Sequence, residues 1–544
     1  MTSNWQLQKL CNSAGVVANR AARICLALAF CTLGSRAEEV AAQTPTDMEL
    51  RVGSVQRFGE QPKDTLKLQA TKGAKLTLRW LGDNMKPLSV QVDSVNLEVQ
   101  MQPLPAPAVD EQLVLGNYRS FETAEDSARK WRAKGLEVEV AQPGRWQVWA
   151  KRNVYKTPLV RRLLLKGLQR QGYKTAYLET KNRQQQPLIS WMVNGYRYNP
   201  RQVDITAGNN LIGVSQGKDK QSTRIYGGSL RLQPNVYGTY TLVNQVPLET
   251  YLRGVVPHEI SGGAPYAAME AQTIIARTYA LRNLRRFAID GYQLCADTQC
   301  QVYKGLSGTN RVADRAIAAT TGQVLTYQKQ LVDALYSSTT GGVTAPYGDV
   351  WNGSERPYLQ ALVDSRANVW DLSRQPLADE QNFRRFISRK QGFNESGWGT
   401  FRWRKQSSLQ QITRDLQEYL KKTKSQLADF QTIQQIQVVE RSPAGRILSL
   451  AVQTDKGVVA IYKDDVRSAF IAPRSTLFYL EPVYDWGKNL KGYAFVGGGF
   501  GHGVGLSQTG AYNLAKQGWT AGQILNFYYP QTKIEPIEDS LLAR

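Results

Sequence analysis

The chain has only two histidines, His258 and His502, and each lies in a stretch of unusual local chemistry. The first stretch is VPLETYLRGVVPHEISGGAPYAAMEAQTIIARTYAL, residues 246–281. There His258 precedes Glu259, whose carboxyl group can deliver a proton and take one back. The second is GGGFGHGVGLSQTGAYNLAKQG, residues 497–518, with six glycines among the nine residues 497–505. Glycines in such number let a polymer approach the backbone closely. Other chemistries do not fit. No register gives G-x-G-x-x-G and no Gly-Lys-Ser/Thr is present, so neither a dinucleotide site nor a phosphate loop is supported. His258-Glu259 lacks the second histidine of H-E-x-x-H, which removes zinc-protease chemistry.

These residues need elements to hold them. After Gly262-Gly263, Pro265 suits the first turn of a helix. Ala271, Ile274, Ile275, Thr278 and Leu281 then recur at threes and fours and predict one apolar face. That puts Glu259 in the turn leading into the helix and Arg277 about three turns along it. Ser507 can cap the helix that follows the glycine-rich loop. Upstream, Leu50-Arg51-Val52, Leu66-Lys67-Leu68, Leu76-Thr77-Leu78 and Val90-Gln91-Val92 alternate as half-buried strands do. The run Pro103-Leu104-Pro105-Ala106-Pro107 reads as a linker. From about Gln112 to Thr180 the order is strand, helix, two strands, helix, strand. The first of its helices is TAEDSARKWRAKG with a Thr cap, the second TPLVRRLLLKGLQRQG. Short strands and turns resume over 188–240, and a charged, helical insertion covers roughly 366–435. The expected class is α+β: a β-rich domain with helical insertions, discontinuous around a small βαββαβ unit.

Of 544 residues 68 are basic and 45 acidic, a net charge of +23. The surplus favours a polyanionic partner (nucleic acid, acidic lipid or an anionic cell wall) or else a merely solvated basic surface. Residues 1–37 carry Lys9, Arg20, Arg23 and Arg36, no acid, and an apolar run from Ile24 to Gly34. This reads as a secretory signal peptide. The run is too short for the ~20 residues that span a bilayer, and an uncleaved membrane anchor is the alternative. Its removal takes Cys11, Cys25 and Cys31 and lowers the net charge from +23 to +19. Cys295 and Cys300 remain, in CADTQC. In an exported chain they most simply form a local disulfide; a metal pair or free thiols are the alternatives, and no histidine lies nearby in sequence to complete a zinc site.

Four ordered motifs resemble the SpoIID/LytB family signature. They are Val255-Val256-Pro257-His258-Glu259; Ala271-Gln272 with Ala276-Arg277-Thr278-Tyr279; Tyr336-Ser337-Ser338-Thr339-Thr340-Gly341-Gly342; and Gly499-Phe500-Gly501-His502-Gly503-Val504-Gly505-Leu506-Ser507-Gln508. The resemblance covers about 188–536, and Leu50-Arg51-Val52-Gly53 resembles the family's first strand. The βαββαβ stretch, opened by Gly116-Asn117-Tyr118, resembles a SPOR-type peptidoglycan-binding domain. The implied organisation is a signal peptide at 1–37, first strands of the SpoIID-like domain at 48–103, a SPOR-like insert at 110–183 and the catalytic domain at 188–536. Two positions depart from the family pattern: Thr509 stands where Tyr often follows Ser-Gln, and Ile260 where Met is common.

The resemblance implies a lytic transglycosylase that cleaves the MurNAc–GlcNAc bond of peptidoglycan and leaves 1,6-anhydro-MurNAc ends. It implies Glu259 as catalytic acid, with substrate-binding roles for Arg277, Tyr336, Ser337, Gly341, Gly342, His502, Ser507 and Gln508. One carboxyl can suffice, because the sugar's own C6 hydroxyl can replace the second group that glycoside hydrolases need. The implied partners are glycan strands, stripped of stem peptides in the sporulation members, and a wall amidase, with no nucleic acid. No cofactor is expected; zinc near Cys295 and Cys300 is the alternative that some relatives suggest. The alternative function is a non-catalytic wall-binding protein that recruits or stimulates an amidase. The expected location is the periplasm or cell envelope.

Overall fold

The computed structural model describes residues 48–542 except 62, 83 and 218–222. The signal-like segment 1–37, with Cys11, Cys25 and Cys31, lies outside the described residues.

The alternating segments build β1 (Glu49–Phe58), β2 (Thr65–Ala70), β3 (Leu76–Leu81) and β4 (Pro87–Val92). Leu50, Val52, Leu66, Leu68, Leu76 and Leu78 point inward and are fully buried, as a period of two requires. β5 (Ser94–Tyr118) follows, then α1 (Phe121–Ala133), β6 (Val138–Ala141), β7 (Trp146–Ala150), α2 (Pro158–Arg170) and β8 (Tyr177–Val193). Two local readings change here. Ser120, not Thr123, caps α1, accepting from the Thr123 amide. The Pro-rich run expected as a linker is strand: β5 passes straight through it, antiparallel to β8. Proline has no N–H for the ladder, and the register shifts between Pro103 and Ala108, which is where a sheet tolerates it.

β9 (Tyr196–Tyr198), β10 (Val203–Ala207), β11 (Leu211–Gln216), β12 (Arg224–Gly227), β13 (Ser229–Pro234) and β14 (Tyr240–Pro247) complete the β-rich half, with β15 (Leu294–Cys295) added later in the chain. One sheet has the order β15-β1-β14-β13-β10-β3-β4 and a second β12-β11-β2-β5-β7-β6, with β8 along β5. The βαββαβ unit therefore shares its sheet with β2, β11 and β12. Its helices cover one face of that sheet. On the other, Val114, Ala141 and Trp149 pack with Val236, Tyr237 and Ile289.

α3 (Leu248–Glu259) and α4 (Tyr266–Arg282) follow β14. The apolar stripe expected on α4 understates its burial: every residue from Met269 to Leu281 except Glu270 is buried, because neighbours pack all round it. α5 (Arg311–Ala319), β16 (Gln323–Tyr327), β17 (Gln330–Leu331) and β18 (Tyr336–Ser337) lead into the second half. The charged insertion is helical only in α6 (Glu380–Ser388) and α7 (Leu409–Lys422), separated by β19 (Arg402–Ser408). β20 (Ile433–Arg441), β21 (Ile447–Thr454) and β22 (Gly457–Tyr462) form a separate sheet, followed by α8 (Val466–Ala469). β23 (Phe478–Tyr484) and β24 (Leu490–Gly498) join β19. This half has cores of its own, one around Ile412, Leu450 and Phe495 and one around Phe383, Phe386 and Phe401. β25 (Leu506–Ser507), α9 (Gln508–Lys516), α10 (Ala521–Tyr528) and β26 (Lys533–Pro536) close the chain against β16 and β18. The class is α+β and rich in strands.

Candidate active site

Glu259 is the last residue of α3 and does not belong to the turn before α4. Val255 and Val256, a turn earlier, are fully buried and Ile260 nearly so. The carboxyl is half-buried, and its Oε1 accepts the Val302 amide at 2.6 Å. Burial lifts it above the usual glutamate range, while the Val302 amide and polar contacts from Gln508 and Tyr336 act against that rise. The carboxyl end of a helix also disfavours negative charge. No lysine, arginine or histidine pairs with it among the described residues.

The pieces facing Glu259 come from far along the chain. β18 and β25 pair in parallel, Tyr336 beside Leu506 and Ser337 beside Ser507, so the two glycine-bearing motifs lie side by side. The Tyr336 hydroxyl accepts from Gln301 Nε2 at 3.2 Å, and Gln301 Oε1 in turn accepts from the Tyr251 hydroxyl at 3.2 Å. Burial and the nearby Glu259 push this phenol well above its usual value, so it stays a neutral donor. The Ser337 hydroxyl is buried with no partner. Gly501 passes over it at φ +115°, where a Cβ would stand 2.8 Å from the Ser337 Cβ; only glycine fits.

His502 Nδ1 accepts the Val504 amide at 3.0 Å, so the neutral ring carries its proton on Nε2. Burial, reinforced by Arg467, pushes its pKa down to about 3. The ring leans on Trp351 with centroids 4.9 Å apart. Such a histidine orients by hydrogen bonding and is no cation at neutral pH. The other histidine takes no part: His258 Nε2 lies 2.8 Å from the Ser307 carbonyl and outside the cleft.

Glu259, Tyr336, Ser337, His502 and Gln508 together line a cleft of about 650 Å³. Its walls come from two other regions, Phe121, Arg145 and Trp146 of the βαββαβ unit and Asp464 with Arg467 and Ser468 of α8. The walls touch where Arg119 Nε meets Asp464 at 2.7 Å and Arg145 meets Asp465 at 3.0 Å. Phe500, 49% exposed, gives the cleft an open aromatic face, while Trp146 and Trp351 are buried within its walls. Two further carboxyls line the cleft, and both are tied in ion pairs: Glu122 to Arg286, Asp464 to Arg119 and Arg467. Among the described residues Glu259 alone has an unpaired, raised carboxyl there.

Four expected substrate residues lie elsewhere. Arg277 is fully buried in α4, with Nε and Nη2 each 2.8 Å from the Glu249 carboxylate and Nη1 on the Gln323 carbonyl. It cannot reach the cleft without breaking that pair, because three turns along the helix carry it into the core. Gly341 and Gly342, both at positive φ, and Ser507 serve an internal site. The Gly341 and Gly342 amides donate to Glu395 Oε2 at 2.8 and 3.0 Å, and the Thr340 amide, the Thr340 hydroxyl and the Ser507 hydroxyl donate to Oε1. Ser507 also caps α9 through the Gly510 amide. Glu395 itself is fully buried. Sequence reading passed it over because FNESG carries no motif, and only the fold brings it under residues 340–342.

Cys295 and Cys300 are disulfide-bonded, with Cα atoms 5.5 Å apart. Among the described residues no group of three His, Cys, Asp or Glu side chains is arranged to hold a metal ion.

Residues 236–327 match the family described as Stage II sporulation protein, and residues 345–505 match a domain of unknown function. The amidase enhancer of Bacillus subtilis (strain 168) is 27% identical over 365 residues, covering 59% of this chain and 49% of that protein. Stage II sporulation protein D of the same organism is 27% identical over 326 residues, 56% of this chain and 80% of the relative. Stage II sporulation protein D of Bacillus amyloliquefaciens is 28% identical over 317 residues, 56% and 78%. The chain spans about half the length of the amidase enhancer. The SpoIID/LytB resemblance read from the motifs is therefore matched by a family model over 236–327 and by relatives over more than half of the chain.

Proposed function

We propose that this chain, carrying a SpoIID-type segment, is an exported lytic transglycosylase that cleaves the MurNAc–GlcNAc bond of peptidoglycan. The observation that carries the reading is the single unpaired carboxyl in an aromatic-walled cleft, Glu259, lifted by burial toward the protonated form. In the acid step Glu259 gives its proton to the glycosidic oxygen and the bond from the MurNAc anomeric carbon breaks. The C6 hydroxyl of the same sugar then bonds to that carbon, and its proton returns to Glu259. No water enters, and the products are a free GlcNAc hydroxyl and a 1,6-anhydro-MurNAc end. Tyr336 and Gln508 border the carboxyl and orient it. The SPOR-like unit, whose residues wall the cleft, would hold the glycan strand. The periplasm or cell envelope is the location this function requires.

A second reading is supported by the relative named amidase enhancer: a wall-binding protein that recruits or stimulates an amidase without cutting glycan. Incubation of the purified protein with denuded glycan strands, followed by mass spectrometry, separates the two. Anhydro-MurNAc ends support the transglycosylase; intact strands that sediment with the protein refute it and leave the binder.

A further inference from the structure

Away from the cleft, residues 151–178 contain eight lysines and arginines and no acidic residue. α2 runs through the middle of this segment. Its inner face is Arg161 and Leu168, buried on the sheet, with Leu164 and Leu165 partly buried beside them. Its outer face is apolar where a solvated helix would be polar: Leu159 is 66% exposed, Leu163 59% and Val160 42%. Leu159 and Leu163 are four residues apart and so form one ridge, which Lys166 and Arg170 extend. Val154, just before the helix, is also exposed. Arg161 and Arg162 share Glu111, whereas Lys156, Lys166, Arg170 and Lys174 are exposed with no ion-pair partner among the described residues.

We infer that α2 is an interfacial helix by which the protein docks on an anionic lipid membrane. A soluble polyanion would satisfy the four free cations but leave Leu159, Val160 and Leu163 in water. A second copy of the chain would bury the leucines but set cation against cation. An anionic bilayer surface does both, taking the leucines into the acyl boundary while Lys156, Lys166, Arg170 and Lys174 meet headgroup phosphates. Thirteen residues make a helix about 20 Å long, shorter than the ~30 Å hydrocarbon core, so α2 lies in the surface plane.

The test uses the full chain and vesicles of phosphatidylcholine with or without phosphatidylglycerol, doped with a photoactivatable phospholipid. After illumination, lipid-bearing peptides are mapped by mass spectrometry. Labelling of residues 154–167 on anionic vesicles is expected, with a drop of about tenfold or more when Leu159→Ser and Leu163→Ser are combined. Both side chains are exposed, so circular dichroism and melting of the variant should match the parent. Labels confined to other regions, equal labelling on vesicles without phosphatidylglycerol, or parental labelling in the double-serine variant would each overturn the inference. Loss of labelling only in a Lys166→Gln, Arg170→Gln variant, with the leucines dispensable, would also overturn it, because the surface would then be a polyanion contact. Glycan cleavage is a separate readout, so this proposal and the transglycosylase reading fail independently.

Discussion

Replacing Glu259 with glutamine removes one titratable proton while leaving the carboxyl's surroundings almost unchanged. The oxygen of the new amide can still accept the Val302 N–H, now 2.6 Å from Oε1, and the side chain keeps its volume beside Gln508 and Tyr336. If Glu259 delivers and retrieves the proton, release of anhydro-muropeptides should fall by about 10²–10⁴, the range for a positioned acid–base group. Glycan sedimentation should hardly change, since Tyr336, Phe500 and the rest of the cleft wall remain. In the parent, the free enzyme is competent only while Glu259 is protonated. The descending limb of kcat/KM with pH should therefore lie above the usual glutamate pKa and vanish with the variant's activity. Stability supplies a second check. A carboxyl whose folded pKa is raised favours the fold while both states are protonated, and this contribution is lost as pH rises from the unfolded pKa through the folded one. Glutamine has no such loss, so the variant should melt no lower than the parent at pH 8, with the gap narrowing toward pH 4. A folded, glycan-binding variant that still cuts at the parental rate would refute the assignment.

Glu395→Ala strips five donors from the 340–342 turn and Ser507 of their shared acceptor. It should cost about 3 kcal/mol or more in chemical denaturation, since each orphaned buried donor costs ~1–3. Arg277→Met leaves the half-buried Glu249 without its cation and should destabilise by about 3 kcal/mol; the KM for glycan in the folded fraction should not move, whereas a groove role would raise it. Gly505→Ala places a Cβ 2.0 Å from the Leu335 carbonyl oxygen at φ +72°. Thermal melts should show a loss of about 2–4 kcal/mol from overpacking and left-handed strain combined.

Residues that act through their immediate neighbours could be read directly from the chain. The alternation around Leu66 and Leu76, the cap at Ser507 and the strand and helix order of 110–183 are written in local patterns of residue type, and those elements are present. The motif that holds Glu259 is contiguous and so could be read, whereas its place at the end of α3 and in the cleft wall came from the fold. The sequence also carried the charge pattern of 151–178, but not which of its leucines face water. Tertiary structure alone decided the remainder. The family resemblance implied a groove role for Arg277, yet whether a buried guanidinium meets substrate or carboxylate depends on which element lies opposite, and here α3 brings Glu249. Gly341, Gly342 and Ser507 stand beside groove residues in sequence, but β18 pairing with β25 turns their amides and hydroxyl inward onto Glu395. Composition suggested that the prolines end a domain; a strand returning much later in the chain makes them part of a sheet. A side chain's type and periodicity are local properties, whereas its partner is chosen by the long-range closure of the chain, which no short window of sequence contains.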